Sequence, residues 1–246
     1  VSDSTAVEFK NVSKGFHNRD VLNDVSFELP EGKALCILGR SGTGKSVTLK
    51  LLIGLLKPDS GSVCIGAQDI AKLSGEELSK VRRGIGFLFQ SAALFDSITV
   101  GDNLAIPLRR FHSRLSPQEV KQKVAAMLEQ VGLEKDVNKF PGELSGGMKK
   151  RAGLARALVL KPRLLLVDEP SSGLDRITAS EIDDLLLKIK GEGKTTMVVV
   201  THDVRGARRL ADTVAVLDEG CLAGFGTVKE LESSDNATVK ELVSES

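Results

Sequence analysis

The sequence predicts an α/β fold with a mostly parallel core sheet, an antiparallel β subdomain and an inserted α-helical subdomain. Three observations carry that expectation. Short apolar runs alternate with helical segments in both halves of the chain, as when strands return through helices to a parallel sheet. Near the N-terminus, Val25, Phe27 and Leu29 alternate with Ser26 and Glu28, the period of a half-buried antiparallel strand. From Ser91 to about Leu160 the pattern is helical and no strand is visible. A chain of 246 residues buries a real core. It reads as one domain spanning 1–246, with the core and its antiparallel subdomain in 1–90 and 161–226, the helical subdomain in 91–160, and a helical tail in 227–246.

Taken in order, Ala6 to Val12 and Val21 to Leu29 read as strands, joined by a polar turn over Lys14–Asp20 that carries Phe16. Ala34–Leu38 is an apolar run short enough for a buried strand, and Val47 to Ile53 a helix stopped by Gly54. Ser62 to Gly66 and Ile85 to Phe89 read as strands, with a short helix opened by Ser74-Gly75-Glu76-Glu77 between them. In the insert, Ser116-Pro117-Gln118-Glu119 is a capping box with proline at the first helical position; Val120, Val124, Met127, Leu128 and Val131 form one apolar face, and Gly132 ends the helix. Arg163–Val167 is an apolar strand. Thr178-Ala179-Ser180-Glu181 reads as the cap of a helix whose apolar face is Ile182, Leu185, Leu186 and Ile189. Thr195 to Val200 and Thr213 to Leu217 are further strands, separated by a short arginine-bearing helix.

Composition bounds the function. Hydrophobic residues make up 41% and charged residues 27%, and the net charge is +1, so no nucleic-acid partner is expected. No apolar run approaches the ~20 residues of a membrane span, and Val1 to Asn11 lacks the layout of a signal peptide. The expected location is therefore cytoplasmic. Cys36, Cys64 and Cys221 are widely spaced and read as buried thiols of a reducing compartment. The basic clusters Arg82-Arg83, Arg109-Arg110, Lys149-Lys150-Arg151 and Arg205–Arg209 read mainly as solvated faces and in part as partner contacts.

The chemistry concentrates in Gly39-Arg40-Ser41-Gly42-Thr43-Gly44-Lys45-Ser46, set between the apolar run and the helix that starts near Val47. Strand, glycine loop, Gly-Lys-Ser and helix is the context of a phosphate-binding P-loop. Glycines let successive N–H groups turn inward around an anion, and the helix N-terminus adds donors and the positive end of its dipole. Lys45 is the candidate for the β- and γ-phosphates, and Ser46 for Mg²⁺. Asp168-Glu169 ends an apolar strand, where ligands of open α/β sheets bind. Asp168 is the candidate to hold the metal through water, and Glu169 the general base that polarises the attacking water.

Leu144-Ser145-Gly146-Gly147-Met148 is a second Ser-Gly-Gly turn entering a helix, after the helical insert and some twenty residues before Asp168. It resembles the signature motif of the ATP-binding cassette (ABC) ATPases. That resemblance spans about Val7 to Thr227 and implies the ABC form of the P-loop NTPase fold, with a RecA-like core. It further implies that Gln90 contacts Mg²⁺ and the attacking water, that His202 contacts the γ-phosphate, and that Ser172-Gly173-Leu174-Asp175 spans a dimer interface. Phe16 matches the aromatic that stacks on adenine, and Val21 and Val47 complete the implied nucleotide contacts. In this family two copies sandwich two ATP molecules, each between one chain's P-loop and the other chain's Ser145, Gly146 and Gly147. ATP and Mg²⁺ are the implied cofactors. A second copy of the chain and integral membrane permease subunits are the implied partners, which puts the chain at the cytoplasmic face of the inner membrane.

A small GTPase is disfavoured, because Asn138-Lys139-Phe140-Pro141 has proline where guanine recognition needs aspartate. Coiled-coil insertions of the DNA-repair type do not fit the length. Within the family, Phe89-Gln90-Ser91-Ala92-Ala93-Leu94-Phe95, Asp102–Arg109 and Leu144–Arg151 resemble the Mla-type phospholipid transport ATPases that work with lipid-binding MCE proteins. Arg40 and Arg176 stand where that branch usually has proline. A lipoprotein-release or cell-division ABC ATPase, and a non-transport ATP-dependent regulator, are the alternatives. The stretch Ser91 to Arg114 is expected to form the groove that receives a permease helix.

Overall fold

The computed structural model describes residues 4–17 and 19–244. In chain order the elements are β1 (Thr5–Phe16), β2 (Arg19–Pro30), β3 (Ala34–Leu38), α1 (Lys45–Leu52), β4 (Ser60–Ile65), β5 (Gln68–Asp69), α2 (Gly75–Arg83), β6 (Ile85–Leu88), α3 (Val100–Phe111), α4 (Pro117–Gln130), α5 (Gly146–Leu158), β7 (Leu164–Asp168), α6 (Arg176–Gly191), β8 (Thr196–Val200), α7 (Val204–Leu210), β9 (Thr213–Asp218), β10 (Cys221–Gly226), α8 (Val228–Glu232) and α9 (Ala237–Val243). The chain falls into two compact units, one made of the described residues of Val1–Arg82 and Leu187–Ser246, the other of Arg83–Leu186.

In the first unit β3 lies between β8 and β9 and is parallel to both. Strands of a parallel sheet have both faces covered by the helices that connect them, which matches Ala34–Leu38, whose five residues are all apolar and buried. β10 returns antiparallel to β9. The second sheet of this unit is antiparallel, in the order β2-β1-β4-β5. Its one-sided burial is written in the alternation of β2, where Val25, Phe27 and Leu29 are buried and Ser26 and Glu28 are exposed. Phe9 and Phe27 stack across β1 and β2 with ring centroids 4.5 Å apart.

In the second unit β6 and β7 run parallel, Leu88 opposite Val167. Helices α3, α4 and α5 surround a core that includes Leu104, Leu108, Val124, Leu128, Leu133, Ala152 and Ala155. Fully burying such a leucine contributes about 1.5–3 kcal/mol. The expected capping box is present at α4: Ser116 Oγ accepts from the Glu119 N–H, and the Glu119 carboxylate accepts from the Ser116 N–H at 2.7 Å. The expected apolar face of α4, from Val120 to Val131, is buried.

Several expectations need correcting. The polar turn over Lys14–Asp20 is much shorter, because β1 and β2 stay paired as far as Phe16 opposite Arg19. Helix α6 begins at Arg176, and its first turn is capped by Asp175 rather than by Thr178. The Asp175 carboxylate accepts from the Ile177 N–H at 3.0 Å, the Thr178 N–H at 3.1 Å and the Thr178 hydroxyl at 2.6 Å. These bonds, the Thr178 hydroxyl first, hold its pKa below the ordinary carboxylate range. Only Cys36 is a fully buried thiol; Cys64 is half-buried and Cys221 exposed. The basic clusters are not uniformly solvated either. Arg82 donates to the Ile53 and Gly54 carbonyls at 2.8 and 3.0 Å, closing the end of α1, and Lys150 is buried.

Candidate functional site

The candidate residues fall into two groups, one in each unit. In the first, β3 delivers the chain into the loop Gly39–Ser46, and α1 leaves it. Gly39, Gly42 and Gly44 have φ of 157°, 82° and 99°, a region that L side chains rarely adopt. At Gly44 a Cβ would also meet Leu22 Cδ2 at 2.6 Å and the Val21 carbonyl oxygen at 2.7 Å. The residue must therefore be glycine for both backbone and space. Gly44 caps α1 without any side-chain hydrogen bond.

Lys45 is buried and folds back beneath the loop, its Nζ donating to the carbonyls of Gly39 at 2.7 Å and Arg40 at 2.9 Å. Thr43 Oγ1 donates to the same Arg40 carbonyl at 2.9 Å, and Thr48 Oγ1 to Gly44 at 3.3 Å. The loop is thus shaped from within, with an ammonium under glycine backbone. That is a donor set matched to a polyphosphate. Ser46 and Val47 are half-buried in the first turn of α1. A cleft of about 410 Å³ runs alongside, lined by Arg19, Asp20, Val21, Arg40, Ser41, Gly42, Thr43, Asp218, Glu219 and Gly220.

The hairpin of β1 and β2 brings two further candidates to this loop. The Val21 carbonyl lies against both Gly44 and Gly220, and the Asn23 N–H donates to the Gly220 carbonyl at 2.8 Å. Phe16, at the hairpin tip, is 39% exposed, and the Lys14 ammonium sits 5.5 Å from its ring centroid. Asp59 fixes this tip by accepting from the Gly15 N–H at 2.7 Å and from Lys14 at 2.5 Å. His202 is exposed just beyond β8. Parallel pairing of Ile37 with Val200 puts it at the same carboxyl edge as Gly39, and the Thr201 N–H donates to the Ile37 carbonyl at 3.2 Å.

In the second unit, parallel pairing of β6 with β7 brings Gln90 and Asp168 to one strand edge. Both line a cleft of about 450 Å³ with Phe89, Ser91 and Ser172, and Gln90 Nε2 donates to Ser172 Oγ at 3.3 Å. Glu169 follows at φ 48°, an uncommon conformation for a residue with a Cβ. Ser145, Gly146 and Gly147 are not among the residues lining that cleft. They open α5, where Ser145 Oγ accepts from the Met148 N–H at 3.3 Å. Ser145 and Gly146 are exposed, and Gly147 is packed so closely on Thr178 that a Cβ there would overlap Thr178 Cγ2.

Two residues of this unit escaped the sequence reading. Lys150 Nζ donates to the Glu169 carbonyl at 2.8 Å. Burial pushes its pKa down, against the opposing pull of Asp168 and Glu169. Arg156 donates to the carbonyls of Ala93 at 2.7 Å and Ala92 at 3.0 Å, two residues at φ 48° and 61° just after Gln90. A single sequence shows both only as basic residues on a helix. The signal available was the spacing: Lys150, Gly153 and Arg156 recur every three residues and share a face.

The family model described as "ABC transporter" matches residues 22–172. The chain is 44% identical over 238 residues to the probable ribonucleotide transport ATP-binding protein mkl of Mycobacterium leprae, covering 97% of this chain and 68% of that protein. It is 39% identical over 255 residues to the methionine import ATP-binding protein MetN of Campylobacter jejuni, covering 98% of this chain and 76% of that protein. Among solved structures, it resembles a dimeric ATP-binding cassette in a post-hydrolysis state bound to ADP and Pi, with TM-score 0.83 and 34% identity over 90% of this chain and 98% of that one.

Proposed function

The chain belongs to the ABC transporter family, and from that premise we propose that it powers lipid transport through a membrane permease. It is an ATPase that binds ATP with Mg²⁺ and couples hydrolysis to transport. The observation that carries the site reading is the glycine loop with Lys45 folded beneath it. Its backbone N–H groups, Lys45 and the start of α1 take the phosphates, Ser46 and Asp168 hold the metal, and Phe16 and Val21 receive the base. Bound Mg²⁺ neutralises charge on the phosphate oxygens. Gln90 and Glu169 orient and polarise the attacking water, and His202 meets the γ-phosphate. Ser145, Gly146 and Gly147 cover the nucleotide of a second copy. Gly39, Arg40, Ser41, Gly42, Thr43 and Val47 complete the contacts.

No helix among the described residues is long and apolar enough to cross a membrane; we assign the transport path to membrane permease subunits. The docking surface we assign to them is the stretch 91–114. Buried Asn103 holds it by accepting from the Phe95 N–H at 2.8 Å and donating to the Phe95 and Thr99 carbonyls at 3.1 and 2.9 Å. Phe95 and Ile106 remain exposed there. The lipid cargo and MCE-type partners rest on the resemblance of 89–95, 102–109 and 144–151 to the Mla branch; the relatives above carry the names of other cargoes. The chain would then work at the cytoplasmic face of the inner membrane.

Glu169→Gln tests the mechanism. It should keep ATP binding, lower hydrolysis by roughly 10²-fold or more as loss of a general base does, and accumulate a nucleotide-bound dimer. Hydrolysis at the wild-type rate would refute the role of Glu169. For the cargo, phospholipid transfer between vesicles by the reconstituted complex is the assay, and transfer indifferent to ATP would refute it.

A further inference from the structure

We propose that Lys150 is a positioning residue for hydrolysis: it holds the backbone of Glu169, and with it the turn that carries both the carboxylate and the partner of Gln90. The proposal rests on the reading of Glu169 as general base.

The Glu169 conformation is intrinsically unfavourable. Its φ is 48°, it carries a Cβ, and Pro170 follows, which restricts the preceding residue further. Such a backbone persists only where its surroundings over-determine it. The Glu169 carbonyl accepts two bonds: one from the Ser172 N–H at 3.3 Å, which closes the turn, and one from Lys150 Nζ at 2.8 Å. The second is shorter and charge-assisted, and is the stronger hold. Lys150 is only 5% exposed, so its ammonium is committed to this edge and is not a solvated surface charge. The turn it fixes ends at Ser172, whose Oγ accepts from Gln90 Nε2 at 3.3 Å. One buried cation thus sets the backbone of the proposed base and, through Ser172, the side chain of Gln90.

The same helix repeats the device. Six residues on, Arg156 holds the carbonyls of Ala92 and Ala93, the two left-handed residues that follow Gln90. Helix α5 therefore anchors the strained backbone after β6 and after β7 with cationic side chains. Its N-cap is Ser145, the residue assigned to a second copy's nucleotide, about 7.5 Å along the axis from Lys150 at 1.5 Å per residue.

The test is a double-mutant cycle on the full chain with Mg·ATP. K150M, E169Q and the double variant are compared for single-turnover hydrolysis, binding of a fluorescent ATP analogue, and thermal unfolding. K150M is expected to lower kcat about 10- to 100-fold, the worth of a charged hydrogen bond. Nucleotide affinity and melting should stay unchanged, and K150R should recover most of the rate. In the E169Q background the loss caused by K150M should shrink to the small part carried through Ser172 and Gln90, because Lys150 acts chiefly through Glu169. Wild-type turnover by K150M beside an inactive E169Q overturns the proposal and leaves the base reading intact. Equal losses in both backgrounds, or parallel losses of affinity and melting, overturn it in favour of a merely structural lysine. Full activity of E169Q refutes the base reading itself. If K150M does not fold, K150Q, which removes the charge and keeps a polar head group, completes the cycle: a loss that largely vanishes in E169Q supports the proposal, and equal losses overturn it.

Discussion

Helix α1 starts from Gly44 at φ 99° with no side-chain cap, whereas α5 starts from Ser145, whose extended backbone lets Oγ accept from the Met148 N–H. Both starts are glycine-rich and carry a serine, yet glycine is required for different reasons. At Gly44 the backbone itself is left-handed, and no side chain caps the start of α1. At Gly147 the backbone is ordinary helix, and glycine is there because Thr178 of α6 occupies the place of a side chain. The first turn curls through left-handed glycines, the backbone shape that turns N–H groups toward an anion. The second is an ordinarily capped helix packed against a neighbouring helix, with Ser145 and Gly146 exposed. Glycine in the first is a conformational requirement, and in the second a packing requirement.

Four substitutions probe that difference. Gly44→Ala should have the largest effect, about 2–4 kcal/mol, because left-handed strain adds to overlap with Leu22 and Val21. Loss of nucleotide binding together with a lower melting temperature is expected, and unchanged affinity would contradict the backbone assignment. Gly147→Ala should cost about 1–3 kcal/mol from overpacking alone. Combining it with Thr178→Ser, which removes Cγ2 and keeps the hydroxyl bonded to Asp175, should restore most of the stability. No recovery in urea unfolding would mean that the glycine is needed for its backbone after all. Ser145→Ala should cost about 1 kcal/mol as a lost helix cap, with no change in nucleotide binding by a single copy.

The smallest expected effect concerns pH. Asp175 has a folded pKa held below its unfolded value, so its contribution is complete above the ordinary carboxylate pKa of about 4 and is lost as pH falls through the folded value. Wild-type stability should therefore decline in acid more steeply than that of Asp175→Asn. Parallel melting-temperature profiles below neutral pH would remove Asp175 from the acid response.

Much of this was legible beforehand. The buried run Ala34–Leu38, the loop after it and the alternation in β2 are local patterns, and sterics and burial impose them residue by residue. The α4 capping box lies within four residues of sequence and was equally plain. The start of α6 was misplaced because Thr178 and Asp175 are both good caps by composition. Only the backbone shows Asp175 at the end, with Thr178 donating to it. Lys150 and Arg82 were misread for another reason. A lysine or arginine has the same formal charge in solvent or under a helix, and the carbonyls they bind, at Glu169 and at Ile53 and Gly54, lie 19 to 29 residues away in sequence.

The amino-acid order alone marks which residues can curl around phosphate, which carboxylates end a buried strand, and which serine opens the second turn. Those depend on residue type, short spacing and local backbone sterics. Tertiary structure decided what supports them. It put Lys45 under its own loop, Val21 against Gly44, Thr178 against Gly147 and Lys150 against the Glu169 carbonyl. The physical reason is that these are contacts made by side chains with distant backbone. Buried cations and tight glycine contacts follow from where the chain returns, which no short stretch of sequence records.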